Sequence, residues 1–139
     1  MENQSDERRR HTRVPARVEG KIQLVIPEET FSPFTFEGYT RDICVSSLGF
    51  ATTQVPCDMF LRIIRKIRHV RVWVTLPGQR RVSRLFGRAA WVRLDEQTTP
   101  PTTLFGVAFE DLSEGDTEAL SVAVTYFLAS GTRRVSSVK

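Results

Sequence analysis

The chain has 139 residues, 40% of them hydrophobic, with a formal net charge of +4 and a pI of about 9.6. That length fits one domain with one sizeable core, and the apolar fraction excludes an intrinsically disordered chain. No apolar run approaches the ~18 residues a membrane span needs, and the polar N-terminus lacks the apolar h-region of a secretory signal, so a cytoplasmic location is expected. The positive excess favours an anionic partner but is too small to require a nucleic-acid polymer.

Residues 1–13 are almost wholly polar and read as a flexible arm rich in arginine. Pro15 disfavours a helix just beyond it. From 16 to 26 the middle of the segment alternates and predicts a strand. Pro27 to Pro33 reads as a loop. Phe34 to Asp42 predicts a second strand with Phe34, Phe36 and Tyr39 toward the core, and Leu48 to Thr53 a third. Asp58 is a candidate N-cap for a short inserted helix over 58–67, with Phe60, Ile63, Ile64 and Ile67 at helical spacing. Val70 to Val74 predicts the fourth strand, closed by the turn signal Pro77-Gly78. Val82 to Leu94 and Thr103 to Phe109 predict the fifth and sixth, joined by the polar loop Asp95 to Pro101. The last element is a helix capped by Ser113 or Asp116. Its apolar stripe is Leu120, Ala123, Val124, Phe127 and Leu128, and Gly131 is its stop signal. Six short strands and one amphipathic helix predict an all-β domain with flanking helices: a six-stranded antiparallel barrel over 14–131 with a C-terminal helix, then a disordered tail over 132–139.

The chemistry concentrates at two places. Arg8, Arg9, Arg10 and Arg13 crowd six positions. A guanidinium fork cannot be deprotonated at working pH and binds phosphate oxygens or the O6/N7 edge of guanine bidentately. Several forks on one arm can close around a small, doubly charged, guanine-bearing ligand. A solvated basic arm, or one that binds nucleic acid loosely, is the other reading of these residues. The second place is Thr40 to Phe50. A carboxylate at Asp42 can accept two hydrogen bonds from N1 and N2 of guanine. A small polar side chain two residues on shares its strand face.

These two stretches resemble the signatures of the PilZ domain, a bacterial receptor for cyclic di-GMP. Arg9 and Arg13 meet an Arg-x-x-x-Arg motif. Asp42-Ile43-Cys44-Val45-Ser46-Ser47, followed by Leu48-Gly49-Phe50, meets Asp/Asn-x-Ser-x-x-Gly, with Cys44 in place of the serine and Ser47 in place of the glycine. Arg88-Ala89-Ala90-Trp91-Val92-Arg93, Leu104 to Phe109 and the closing helix are similar to the end of that domain, so the resemblance covers about residues 7–129. It implies a PilZ-like barrel that is a receptor and not an enzyme, with no cofactor and with cyclic di-GMP as ligand. It also implies a ligand site drawn from Arg8, Arg9, Arg10, Arg13, Asp42, Cys44, Ser47 and Trp91, the last of which is also a candidate barrel-packing aromatic. The arm would be disordered when free and wrap the ligand when bound. Signalling would pass to an unidentified downstream protein in motility or biofilm control. The alternative is an adaptor that has lost the ligand. A thiol is a weaker hydrogen-bonding group than a hydroxyl, and Ser47 would be strained if its position needs a positive φ.

The remaining candidates carry less. Cys44 and Cys57 follow no metal-ligand spacing, and a disulfide is not expected in a cytosolic chain. His11 and His69 lie far apart, and His69 reads as a surface residue. Arg62, Arg65, Lys66, Arg68 and Arg71 have no acid among them and read as a solvated helix and strand face, with a partner-docking or nucleic-acid face as the alternative. The acids Glu110, Asp111, Glu114 and Asp116 suit the start of a helix. No metal site is expected, and nucleic acid is not expected as a partner.

Overall fold

The computed structural model describes residues 13–25 and 34–138. In chain order it contains β1 (Val14–Pro15), β2 (Glu19–Val25), β3 (Phe34–Ile43), β4 (Ser47–Thr52), α1 (Cys57–Lys66), β5 (His69–Val74), β6 (Ser83–Asp95), β7 (Thr102–Phe109) and α2 (Glu114–Val138). All strand pairings are antiparallel. The order is β1-β3-β2-β5-β6-β7-β4, and β4 returns to pair with β3. Six strands therefore close on themselves, and β1 lies outside as a two-residue flap against β3.

Closure is the work of the two long strands. β3 spends its first part on β2, from Phe34↔Leu24 to Tyr39↔Glu19, and its last part on β4, from Tyr39↔Ala51 to Ile43↔Leu48. β6 pairs with β5 through Ser83 to Arg88 and with β7 through Gly87 to Asp95. Each long strand breaks register once: β3 between Thr40 and Asp42, β6 between Ala89 and Trp91. An extra residue at such a point raises the local twist and bends the strand. That is how a flat ribbon curls into a barrel.

Alternation supplies the core. Ile22 and Leu24, Phe36, Leu48 and Phe50, Val70, Val72 and Val74, Leu85, Phe105 and Val107 are buried inside. Leu120 and Ala123 of α2 are fully buried and join the same cluster. Removing an apolar side chain of this size from water is worth about 1.5–3 kcal/mol, so the barrel interior is the main source of stability.

Several expectations are corrected in detail. The strand expected over 16–26 is divided. Val14–Pro15 forms β1, Ala16 to Val18 is a link, and β2 starts at Glu19. The link is held by the buried Thr40, whose hydroxyl donates to the Ala16 carbonyl (2.5 Å) and accepts from the Val18 N–H (2.9 Å). Tyr39 does not face the core. Phe36 and Thr40 point inward, so the period of two turns Tyr39 outward, where the Arg17 guanidinium lies 3.8 Å from its ring centroid. Asp58 sits in the first turn of α1, which starts one residue earlier at Cys57. Ser113 caps α2 by accepting from the Asp116 N–H (3.0 Å). Leu128 is 48% exposed and lies off the buried stripe. The helix passes Gly131 and runs to Val138. An interior glycine costs a helix only about 1 kcal/mol, so it marks a stop weakly. No helix among the described residues is long and apolar enough to cross a membrane.

Candidate functional site

The two register breaks lie at one hollow. It has a volume of about 490 Å³. Its walls include Arg13 and Pro15 from β1 and its approach, and Arg41 and Asp42 from β3. Gly49 of β4, Trp91 and Arg93 of β6, and Phe105 of β7 complete it. Three residues singled out in the sequence, Arg13, Asp42 and Trp91, therefore face one space.

The local sequence explains each placement. β1 pairs Pro15 with Asp42 and Val14 with Ile43, so the chain leaves the barrel beside Asp42 and delivers Arg13 there. The residue skipped by the break in β3 is Arg41. This puts Arg41 and Asp42, neighbours in sequence, at the same opening. Asp42 lies opposite Gly49. A Cβ on Gly49 would stand 2.9 Å from Asp42 Oδ1, so the glycine leaves room for the carboxylate. Oδ1 is shielded from solvent and has no hydrogen-bond partner among the described residues. A carboxylate with one oxygen unsatisfied gains more from an incoming donor than one already saturated.

Trp91 sits just after the break in β6 and opposite Gly106. A Cβ on Gly106 would fall 2.2 Å from both Nε1 and Cε2 of the indole. The ring therefore lies directly on the bare backbone of β7. Its outer side is open, at 39% exposure, and the Arg93 guanidinium stands 5.3 Å from its centroid. Trp91 thus both packs on the barrel and lines the hollow. The two readings of this residue are not exclusive.

Cys44 and Ser47 are placed differently. Cys44 opens the turn between β3 and β4 and Ser47, the first residue of β4, closes it, with the Cys44 N–H donating to the Ser47 carbonyl (2.8 Å). Cys44 is 1% exposed, with its Sγ 3.4 Å from Ser46 Oγ. Neither residue lines the hollow. Among the described residues Asp111 is the one non-glycine with positive φ, at 55°. Ser47 is therefore unstrained, and the replacement of glycine there costs no backbone energy. Arg8, Arg9, Arg10 and His11 lie outside the described residues.

Sequence reading missed Arg41, Arg93, Gly49 and Gly106. Arg93 was within reach, because it is two residues from Trp91 and strand alternation puts both on one face. Arg41 was not: without the skipped residue, it would project away from Asp42. Arg41 and Pro15 also border a second hollow of about 530 Å³, which Arg17, Tyr39, Asp95 and Phe127 help to line. Among the described residues no three His, Cys, Asp or Glu side chains gather in a way that could hold a metal ion.

No protein-family model matches the chain, and no curated protein matches it. Solved structures do. The PilZ domain of YcgR from Escherichia coli, solved with cyclic di-GMP, superimposes with a TM-score of 0.64 at 14% identity, over 93% of this chain and 98% of that one. The Bacillus subtilis inhibitor of motility MotI/DgrA gives 0.57 at 16% identity, over 87% of this chain and 52% of its own. PlzA of Borreliella burgdorferi, in complex with cyclic di-GMP, gives 0.56 at 10% identity, over 94% and 56%. The chain spans about half the length of the last two and almost all of the isolated YcgR domain. The fold is therefore PilZ-like, as the two motifs and the strand order led one to expect.

Proposed function

We propose that this PilZ-like domain is a receptor for cyclic di-GMP rather than an enzyme. The observation that carries the reading is the meeting of Arg13, Asp42 and Trp91 at one hollow, with an under-satisfied Asp42 carboxylate on its wall. This set answers the three chemical parts of the ligand. The carboxylate accepts from N1 and N2 of a guanine. The guanidinium grips a phosphate or the O6/N7 edge. The indole offers an open face for a purine to stack on. Arg41 and Arg93 join them as further cations of the site. Two of the structural neighbours were solved with the same dinucleotide, and a third is described as an inhibitor of motility.

Arg8, Arg9 and Arg10 belong to the same reading as the part of the arm that closes over the bound ligand. Fixing each backbone residue costs about 1–2 kcal/mol. Each hydrogen bond to a charged group returns about 1.5–3 kcal/mol, so a few phosphate contacts offset the ordering of a short arm. Ordering changes the surface around the hollow, and a downstream protein reads that change. The receptor works in the cytoplasm, in control of motility or biofilm. Cys44 and Ser47 shape the turn behind Asp42 and do not touch the ligand.

Isothermal titration with cyclic di-GMP tests this. Wild type is expected to bind at micromolar concentration or tighter. Arg13→Ala and Asp42→Ala are each expected to lose about tenfold or more, the equivalent of one charge-assisted contact. No heat from wild-type protein at high concentration would leave the ligand-free adaptor as the better account.

A further inference from the structure

Between Asp58 and Asp95 the chain carries nine arginines, one lysine and no acid. The barrel sets three of these arginines, Arg71, Arg84 and Arg88, on one outer face. Val70, Val72, Val74 and Leu85 are buried, so the residues alternating with them point outward. The register then sets Trp73 beside Arg84, Arg71 beside Phe86 and His69 beside Arg88. Strands about 4.8 Å apart with same-face residues about 6.7 Å apart make this a fixed grid of cations and rings. Arg71 is held in place: its Nη1–H donates to Gln23 Oε1 at 3.1 Å, and it lies 5.6 Å from the Phe86 centroid.

We propose that the β5–β6 face docks an acidic segment of a partner protein that also carries a bulky apolar side chain. Three features choose this occupant. At the Trp73 end of the grid a groove of about 500 Å³ opens between Lys21, Trp73, Val74 and Val82, with Glu19 on its wall, so this end suits the apolar side chain of the partner rather than its acids, and Val82 is 58% exposed at its edge. A polyanion such as nucleic acid has no use for an apolar slot, whereas arginine and tryptophan around one are typical of protein hot spots. Second, the Phe86 ring is already covered, with His69 stacked on it at 5.1 Å and 10°. It therefore offers a base little to stack on, unlike the platforms of single-strand binders. Third, acids bound the strip on both sides. Glu37 stands opposite Lys21 on β3, and Glu110 Oε1 is 3.0 Å from His69 Nε2. Such borders confine an anionic ligand to the strip between them, where a short acidic segment fits and a long phosphate chain overruns onto the acids.

The position matters too. In the closed strand order β5 lies across the barrel from β4, which carries Gly49 at the hollow. The dock and the hollow can be filled at once, and the proposal stands independently of the dinucleotide reading.

The test uses the full chain and a fluorescein-labelled 12-residue peptide, ten glutamates around a central Phe-Leu pair, followed by anisotropy. A Ser-Ser version of the peptide and a labelled dT20 run in parallel. Sedimentation reports any self-association, and a cyclic di-GMP titration is done on the same samples. The Phe-Leu peptide is expected to bind, and about fivefold more tightly than the Ser-Ser peptide. Arg84→Gln/Arg88→Gln, two exposed positions, is expected to lose about tenfold for the peptide while its circular dichroism and dinucleotide titration stay unchanged. No peptide binding, or equal binding of both peptides, overturns the proposal. So does preferential binding of dT20, which would make this a nucleic-acid face. Concentration-dependent dimers dissolved by the double variant would instead name a second copy of this chain as the occupant. Loss of dinucleotide binding with intact peptide binding would count against the receptor reading alone.

Discussion

The two halves of the barrel are built by opposite rules. From β2 through β5 to the first half of β6 the ladders run without a break, six pairs with β2 and six with β6. Around the hollow, β3 and β6 each skip a residue, two glycines stand under functional side chains, and a carboxylate oxygen is left unsatisfied. An unbroken ladder can only display what alternation assigns to it, so it produces an even grid. A bulge can aim two successive residues at one opening, so it produces a site. The regular half carries stability and an even outer face, and the irregular half gives up some stability to open a hollow, which on the proposed reading is where a ligand is held.

That contrast can be broken experimentally. The largest effect is expected from Gly106→Val. Its side chain would occupy the place of the Trp91 indole, 2.2 Å from the nearest ring atoms. Urea unfolding should show a loss of about 3 kcal/mol, within the range for overpacking, and a shift in tryptophan emission, and the dinucleotide titration should be flat. Asp42→Ala should separate function from stability. Dinucleotide affinity falls about tenfold or more, while the urea midpoint holds or rises, because a buried unpartnered oxygen is removed. A midpoint that falls with the affinity would show that Asp42 is structural. Cys44→Ser should change affinity by no more than about twofold, because the thiol is buried in the turn and replacing one weak hydrogen-bonding group by another is a small term. The smallest effect is expected from the dock variant Arg84→Gln/Arg88→Gln on the dinucleotide titration: nothing measurable. A shift of more than about threefold there would mean that the two halves are coupled.

The same contrast explains how much of the molecule is legible in its sequence. The six barrel strands and both helices were legible because alternation and helical spacing act over many residues. β1 was not, since two residues including a proline carry no period. Its place is set by pairing with Asp42 and Ile43, far along the chain, and by the clasp of Thr40 on the link that follows it. Of the hollow, Arg13, Asp42 and Trp91 were found through motifs, which record side-chain chemistry. Arg41, Gly49 and Gly106 were not, because their roles depend on which residue the register skips and on how closely a ring lies against backbone. Tyr39 went wrong for a related reason: an aromatic was assigned to the core by type, while the neighbouring threonine holds the inward position. Leu128 was counted in the apolar stripe although the helix turns it toward solvent.

The buried Thr40 has one more consequence. It clasps Ala16 and Val18 on either side of the link that follows β1, two positions before Asp42 on the same strand. The link that carries β1 is therefore tied to a buried point of β3, and β1 itself is tied to the rim beside Asp42. On the proposed reading, a ligand held at the hollow would be reported at the rim around Pro15 and Arg41, where β1 joins β3.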